Sequence, residues 1–283
     1  MRRLIACTLL AVLLAGCSSG PGGGATSPAA TPGTTSTPSS GADINDRYDV
    51  GGNELDITCS GTGTPTVVYL HGLGGDGSDV NEAIRSRLAG RVRLCTYDRV
   101  NVGRSDHQSG RHSGADSVRD LHALLAAAEV QGPYLLLGFS FGGLLAAMYA
   151  GTYPEDVMGI LMLDASLPTD DEVDALIPAD MRAGVKADQE ANSERVDFYR
   201  TLDQAEALLG SIPDVPLTYM AAEPVELPSE WPVERMRKFI RAKQSAFVGR
   251  FPQGRLVRVT SSHNVDLDQP ERVLAEVDRI LAG

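Results

Sequence analysis

From residue 54 onward the chain alternates between two patterns, and that alternation limits the folds open to it. Short runs of β-branched and large apolar residues read as strands. They are Thr64–Gly72 (TPTVVYLHG), Arg91–Arg99 (RVRLCTYDR), Pro133–Gly138 (PYLLLG), Val157–Ser166 (VMGILMLDAS), Val215–Glu223 (VPLTYMAAE) and Gly254–Ser262 (GRLVRVTSS). Glu54–Gly61 (ELDITCSG) alternates in the manner of a strand. A continuous apolar run such as Thr64–Gly72 suits a strand buried on both faces. Between the strands lie helical patterns. Ser117–Val130 has helical apolar spacing, with Ser117 as candidate cap and Gly132-Pro133 closing it. Phe141–Pro154 is a helix of small residues, and Arg235–Val248 and Pro270–Leu281 are further helices. A charged, helix-like stretch fills Pro168–Ile212. Strands alternating with helices predict an α/β fold: a mostly parallel central sheet flanked by helices, joined by right-handed crossovers.

The N-terminus reads differently. Arg2 and Arg3 precede an apolar run, Leu4–Ala15, that is too short to cross a bilayer as a helix. A charged start, short apolar middle and small-residue end predict a secretory signal over residues 1–16. Leu14-Ala15-Gly16-Cys17 resembles the bacterial lipobox, which implies cleavage before Cys17 and lipidation of its sulfur. Residues 17–42 then form a Ser/Thr/Pro/Gly tether without charge or aromatic side chains, expected to be disordered. The folded domain is expected over residues 43–283, ample for one substantial core.

The net charge is −12, and loss of Arg2 and Arg3 with the signal makes it more negative by two. So acidic a chain argues against nucleic acid as a partner and against a basic membrane patch, leaving the lipid as the expected anchor. The expected location is therefore the outer face of the cell membrane. Of four cysteines, Cys7 leaves with the signal and Cys17 carries lipid. Cys59 and Cys95 remain, an even pair in an exported chain, and either a disulfide or two buried thiols would fit.

Gly138-Phe139-Ser140-Phe141-Gly142 matches G-x-S-x-G, but so does Gly16-Cys17-Ser18-Ser19-Gly20, so the pattern alone decides nothing. Context separates them. Ser140 falls at a strand-to-helix junction, as a nucleophile elbow requires, and Gly138, Gly142 and Gly143 supply room for the sharp turn. The first helical N–H groups can then meet a developing oxyanion. His71-Gly72-Leu73-Gly74-Gly75 directly follows a strand, and His71 reads as a structural hydrogen-bonder. A serine hydroxyl needs a base to take its proton. Among His71, His107, His112, His122 and His263, the last is the best placed, between the final strand and the final helix. His122 lies within a helix, and His107 and His112 share a polar loop where solvation is expected.

Taken together, these residues resemble the α/β-hydrolase superfamily across roughly residues 43–283. The resemblance is carried by His71-Gly72-Leu73-Gly74, by Tyr97-Asp98-Arg99 with Gly103-Arg104-Ser105-Asp106, by Gly138–Gly143, and by Ser261-Ser262-His263 with Gln269-Pro270-Glu271. Asn101 stands where relatives usually have Gly, and Asn tolerates the left-handed region. The resemblance implies an α/β-hydrolase fold with a small helical cap, at about residues 168–212. It implies Leu73 and Phe141 N–H groups as the oxyanion hole. It also implies a strand order beginning 1-2-4-3, which places Cys59 and Cys95 on neighbouring strands and favours the disulfide.

The acid behind His263 has two possible places. Many relatives carry it after the strand that follows the cap, where this chain reads YMAAEPVELP and offers only Glu223 and Glu226. Others carry it at the end of the preceding strand, where Asp164 stands in ILMLDASLP. An unpaired carboxylate in an apolar strand is costly, and Asp164 is the favoured acid, with Glu223 the alternative. The expected function is a serine hydrolase cleaving a small or medium ester through an acyl-enzyme, with a small-molecule substrate and no metal or organic cofactor. Peptidase, thioesterase and C–C hydrolase chemistry fit the same residues, as does a non-catalytic surface-binding protein. Dehalogenase and epoxide-hydrolase relatives use Asp where this chain has Ser140.

Overall fold

The computed structural model describes residues 41–283. The expected signal over 1–16, Cys17 and the tether up to residue 40 lie outside the described residues. Eight strands form one sheet in the order β1-β2-β4-β3-β5-β6-β7-β8. In chain order the elements are β1 (Ile44–Asp49), β2 (Glu54–Ser60), β3 (Thr66–Leu70), α1 (Glu82–Ala89), β4 (Arg93–Tyr97), α2 (Gly114–Ala127), β5 (Tyr134–Phe139), α3 (Phe141–Thr152) and β6 (Val157–Leu163). The insertion between β6 and the next strand holds α4 (Asp170–Asp174), α5 (Arg182–Glu190) and α6 (Phe198–Leu208). The chain continues through β7 (Leu217–Glu223), α7 (Val233–Val248), β8 (Gly254–Thr260), α8 (Val265–Asp268) and α9 (Pro270–Leu281). β1 pairs with β2 and β2 with β4 in antiparallel fashion; the other pairings are parallel.

The two faces of the sheet are sorted by the period of two along each strand. On β5, Leu136 enters a core shared with α2 and α3, while Leu135 and Leu137 enter the opposite core with α1 and α9. Burying apolar residues on both faces is what the unbroken central strands require. α9 presents Val273, Leu274, Val277 and Ile280 to its core, a single helical stripe. α3 is buried from Phe141 to Gly151 and is built of small residues because it crosses the sheet closely: a Cβ on Gly142 would lie 2.0 Å from the Leu70 carbonyl oxygen.

Cys59 and Cys95 are direct partners in the antiparallel β2–β4 register, and their sulfurs are bonded. Three features differ from the sequence expectation. β1 is the first strand that the resemblance implies, but it falls on residues that no strand pattern marked, a charged edge element whose residues are exposed or half-buried. α1 is an added helix, which buries only Ile84 and Leu88. α2 starts before Ser117; its cap is Ser113, whose N–H donates to Asp116 Oδ2 at 2.9 Å. Among the described residues no helix is long and apolar enough to cross a membrane.

Candidate active site

The turn between β5 and α3 holds Ser140 at φ 52° and ψ −121°. Such a conformation costs a non-glycine residue on the order of 1–3 kcal/mol and persists only where its surroundings dictate it. Here they do. Ser140 N–H donates to the Leu163 carbonyl at 3.0 Å, and the Ser140 carbonyl accepts from Gly143 N–H at 3.0 Å and Ser166 N–H at 3.1 Å. The turn also needs the absence of side chains beside it: a Cβ on Gly138 would meet the Gly142 carbonyl oxygen at 2.5 Å.

His263 lies on the turn between β8 and α8, its ring 4.9 Å from that of Phe139. Its Nδ1–H donates to Asp164 Oδ2 at 2.7 Å. The bond places the proton on Nδ1 and leaves Nε2 as an acceptor. Asp164 directly follows β6, at φ 37°, and its other oxygen accepts from Ala222 N–H at 3.0 Å. The carboxylate is 19% exposed and the imidazole 46%, so the pair sits at the rim of the protein interior. Ser140, Asp164 and His263 line one cavity of about 310 Å³ beneath α4, α5 and α6.

The other candidate acids lie elsewhere. Glu223 ends β7 and is held by Arg241, at 3.1 and 3.0 Å, and by Arg258 at 2.9 Å. Glu226 is exposed. The His71–Gly75 turn lies against Ser140: a Cβ on Gly72 would come within 3.5 Å of Ser140 Cβ. Among the described residues neither the Leu73 nor the Phe141 N–H has a hydrogen-bond partner. His71 is buried and contacts the Gly72 carbonyl through Nδ1 at 2.9 Å. Burial, and then the charge of Arg99, push its pKa well down, so it stays neutral.

His112 corrects an expectation. It is buried rather than solvated, and its backbone pairs with the buried Val196 of the insertion. His107 is exposed, and His122 on α2 stacks on Tyr153 at 3.8 Å. Among the described residues no three His, Cys, Asp or Glu side chains converge as a metal-ligand set.

The cavity also holds residues that the sequence pattern did not single out: Asp170 from α4, Lys243 and Gln244 from α7, and Trp231. Trp231 Nε1 has no partner among the described residues. Burial pushes the Asp170 carboxyl up to about 7; the Leu167 N–H opposes this, and the charges of Asp174, Asp164 and Asp171 add to it. Apolar residues of the insertion, among them Leu167, Ile177 and Phe198, wall the rest.

Comparison with known proteins fits this fold. A family model described as alpha/beta hydrolase fold matches residues 65–255. The protein YqjL of Bacillus subtilis (strain 168) is 24% identical over 219 residues, covering 75% of this chain and 82% of that one. A pimeloyl-[acyl-carrier protein] methyl ester esterase of Yersinia pestis is 33% identical over 154 residues, 53% of this chain and 54% of the esterase, so the match spans about half of each. Among solved structures, E-2-(acetamidomethylene)succinate hydrolase superposes with a TM-score of 0.62 at 18% identity, covering 86% of this chain and 100% of that one. The enol-lactonase from Burkholderia xenovorans LB400 gives 0.58 at 16% identity, covering 84% and 100%.

Proposed function

The chain belongs to the alpha/beta hydrolase fold family, and on that premise we propose that it is a serine hydrolase of carboxylic esters. The observation that carries the reading is the Asp164–His263 hydrogen bond, in the same cavity as a serine on a strained strand-to-helix turn. Ser140 Oγ attacks the ester carbonyl carbon while His263 Nε2 takes its proton. Asp164 keeps the ring in that tautomer and stabilises the imidazolium. The carbonyl oxygen becomes an oxyanion held by the Leu73 and Phe141 N–H groups. His263 then passes the proton to the departing alkoxide, leaving an acyl group on Ser140. Water attacks the acyl-enzyme with His263 again as base, and the acid is released.

The cavity volume and its apolar walls support a small or medium ester. The relative that acts on a methyl ester, as its name states, supports an ester bond. A fluorophosphonate probe tests the reading: wild type should label and Ser140→Ala should not. Equal labelling of both, or of neither, would sink it. A series of p-nitrophenyl esters of rising chain length should show kcat/KM falling once the acyl chain outgrows the cavity.

We also propose, from Leu14-Ala15-Gly16-Cys17, that the enzyme is exported and held at the outer face of the cell membrane by lipid on Cys17. The full chain expressed in bacteria should partition into detergent and the Cys17→Ala variant into water. Aqueous partition of both would refute the anchor.

A further inference from the structure

Arg99, in the loop after β4, and Glu194, in the insertion between α5 and α6, have side chains only 2% and 0% exposed. They meet in a two-pronged ion pair, Nε to Oε2 at 2.8 Å and Nη2 to Oε1 at 2.8 Å. Burial would lower the guanidinium pKa, but the Glu194 carboxylate raises it, and Arg99 stays charged. The Arg99 guanidinium lies over the Phe141 ring, 5.5 Å from its centroid, and the pair's other hydrogen bonds go to the turn after β3. Arg99 Nη1 donates to the His71 carbonyl at 2.8 Å and Nη2 to the Gly72 carbonyl at 2.7 Å. Glu194 Oε1 accepts from Gly74 N–H. One buried pair therefore grips this turn on both sides of Leu73.

The grip has a directional consequence. A peptide unit is planar and trans, so its C=O and N–H point opposite ways. The Gly72 carbonyl and the Leu73 N–H belong to one such unit. Fixing that carbonyl on Arg99 fixes the direction of the Leu73 N–H. A cation on the acceptor end also polarises the unit and strengthens the donor at its other end. Stability is a poor explanation for the pair, because well-packed apolar residues often replace buried ion pairs at no cost in folding.

We propose that Arg99, locked by Glu194, is a positioning residue that aims the Leu73 N–H at the oxyanion formed at Ser140. Oxyanion stabilisation would then depend on a residue of the cap. This rests on the serine-hydrolase reading above, with Leu73 as a donor.

The test compares wild type with Arg99→Lys and with the apolar double replacement Arg99→Met, Glu194→Leu. Three quantities are read: kcat and KM on p-nitrophenyl butyrate, the Kd for an arylboronic acid that forms a tetrahedral adduct on the serine, and cooperative thermal unfolding. Loss of an oxyanion donor costs about 10²–10³ in kcat, and misdirecting one should cost about 10- to 100-fold. In a folded variant we expect that loss in kcat, the same factor in boronate affinity, and KM within about twofold of wild type. A merely structural role would leave kcat and boronate affinity unchanged in whichever variant folds. That result overturns the proposal, as does a rise in KM alone. Failure of both variants to fold also overturns it, since the pair would then be a folding determinant. A wild type that neither turns over ester nor labels with fluorophosphonate brings down the serine-hydrolase reading instead.

Discussion

β6 and β7 are neighbouring parallel strands, and each delivers a carboxylate at the same edge of the sheet. Their fates differ. Asp164 gives one oxygen to the Ala222 N–H and the other to His263. Glu223 is taken up by Arg241 and Arg258, reaching toward α7 and along β8. A carboxylate that already holds two guanidinium groups is neutralised and occupied. One that holds a single backbone N–H keeps an oxygen and its charge for an imidazole. The contrast teaches that position at the strand edge does not separate the two carboxylates; the cations beside one and the imidazole beside the other do.

Asp164→Asn offers the largest chance to break that contrast. It should lower kcat on the order of 10⁴-fold, because the amide stabilises the wrong tautomer of His263. Steady-state kinetics on a p-nitrophenyl ester read the effect. A larger loss in Glu223→Gln would reverse the assignment. The expected outcome for Glu223→Gln is activity within about threefold of wild type and a stability loss of about 1 kcal/mol, small because the ion pairs are partly exposed. Urea titration reads that change directly.

A third carboxylate sharpens the contrast further. Asp170 is met by the Leu167 N–H and by other carboxylates, and its pKa lies near 7 rather than at the ordinary 3.8. The folded state thus holds this proton more tightly than the unfolded chain does. Stability should therefore fall as pH rises from about 4 to 7, since the folded state binds the extra proton there. Asp170→Asn should lack this fall, so its Tm advantage over wild type grows between pH 5 and pH 8. Parallel Tm–pH curves for the two proteins would show that Asp170 does not titrate in this range.

What could be read from the sequence, and what could not, follows from how far apart the interacting residues lie. The central strands and α9 announce themselves because their apolar periodicity is local. Ser140 and His263 could be located because each sits where a strand gives way to a turn. β1 (INDRYD) escaped notice because an exposed edge strand carries no apolar alternation. His112 is buried where its backbone pairs with Val196, far along the chain, while its own neighbours are polar. Asp170 and Trp231 belong to segments whose inward faces only folding defines, and Glu194 meets Arg99 across 95 residues. Composition and spacing carry no trace of such meetings.

Glu194 belongs to the insertion by chain position and to the turn after β3 by contact. Caps are the natural units to exchange when a new specificity is wanted. A chimera that swaps everything between β6 and β7 removes Glu194 and strands Arg99 as a lone buried cation, at a cost of about 3–5 kcal/mol. The modular boundary therefore does not coincide with the strand ends. A transplant has to carry a glutamate at this place or change Arg99 in the same step.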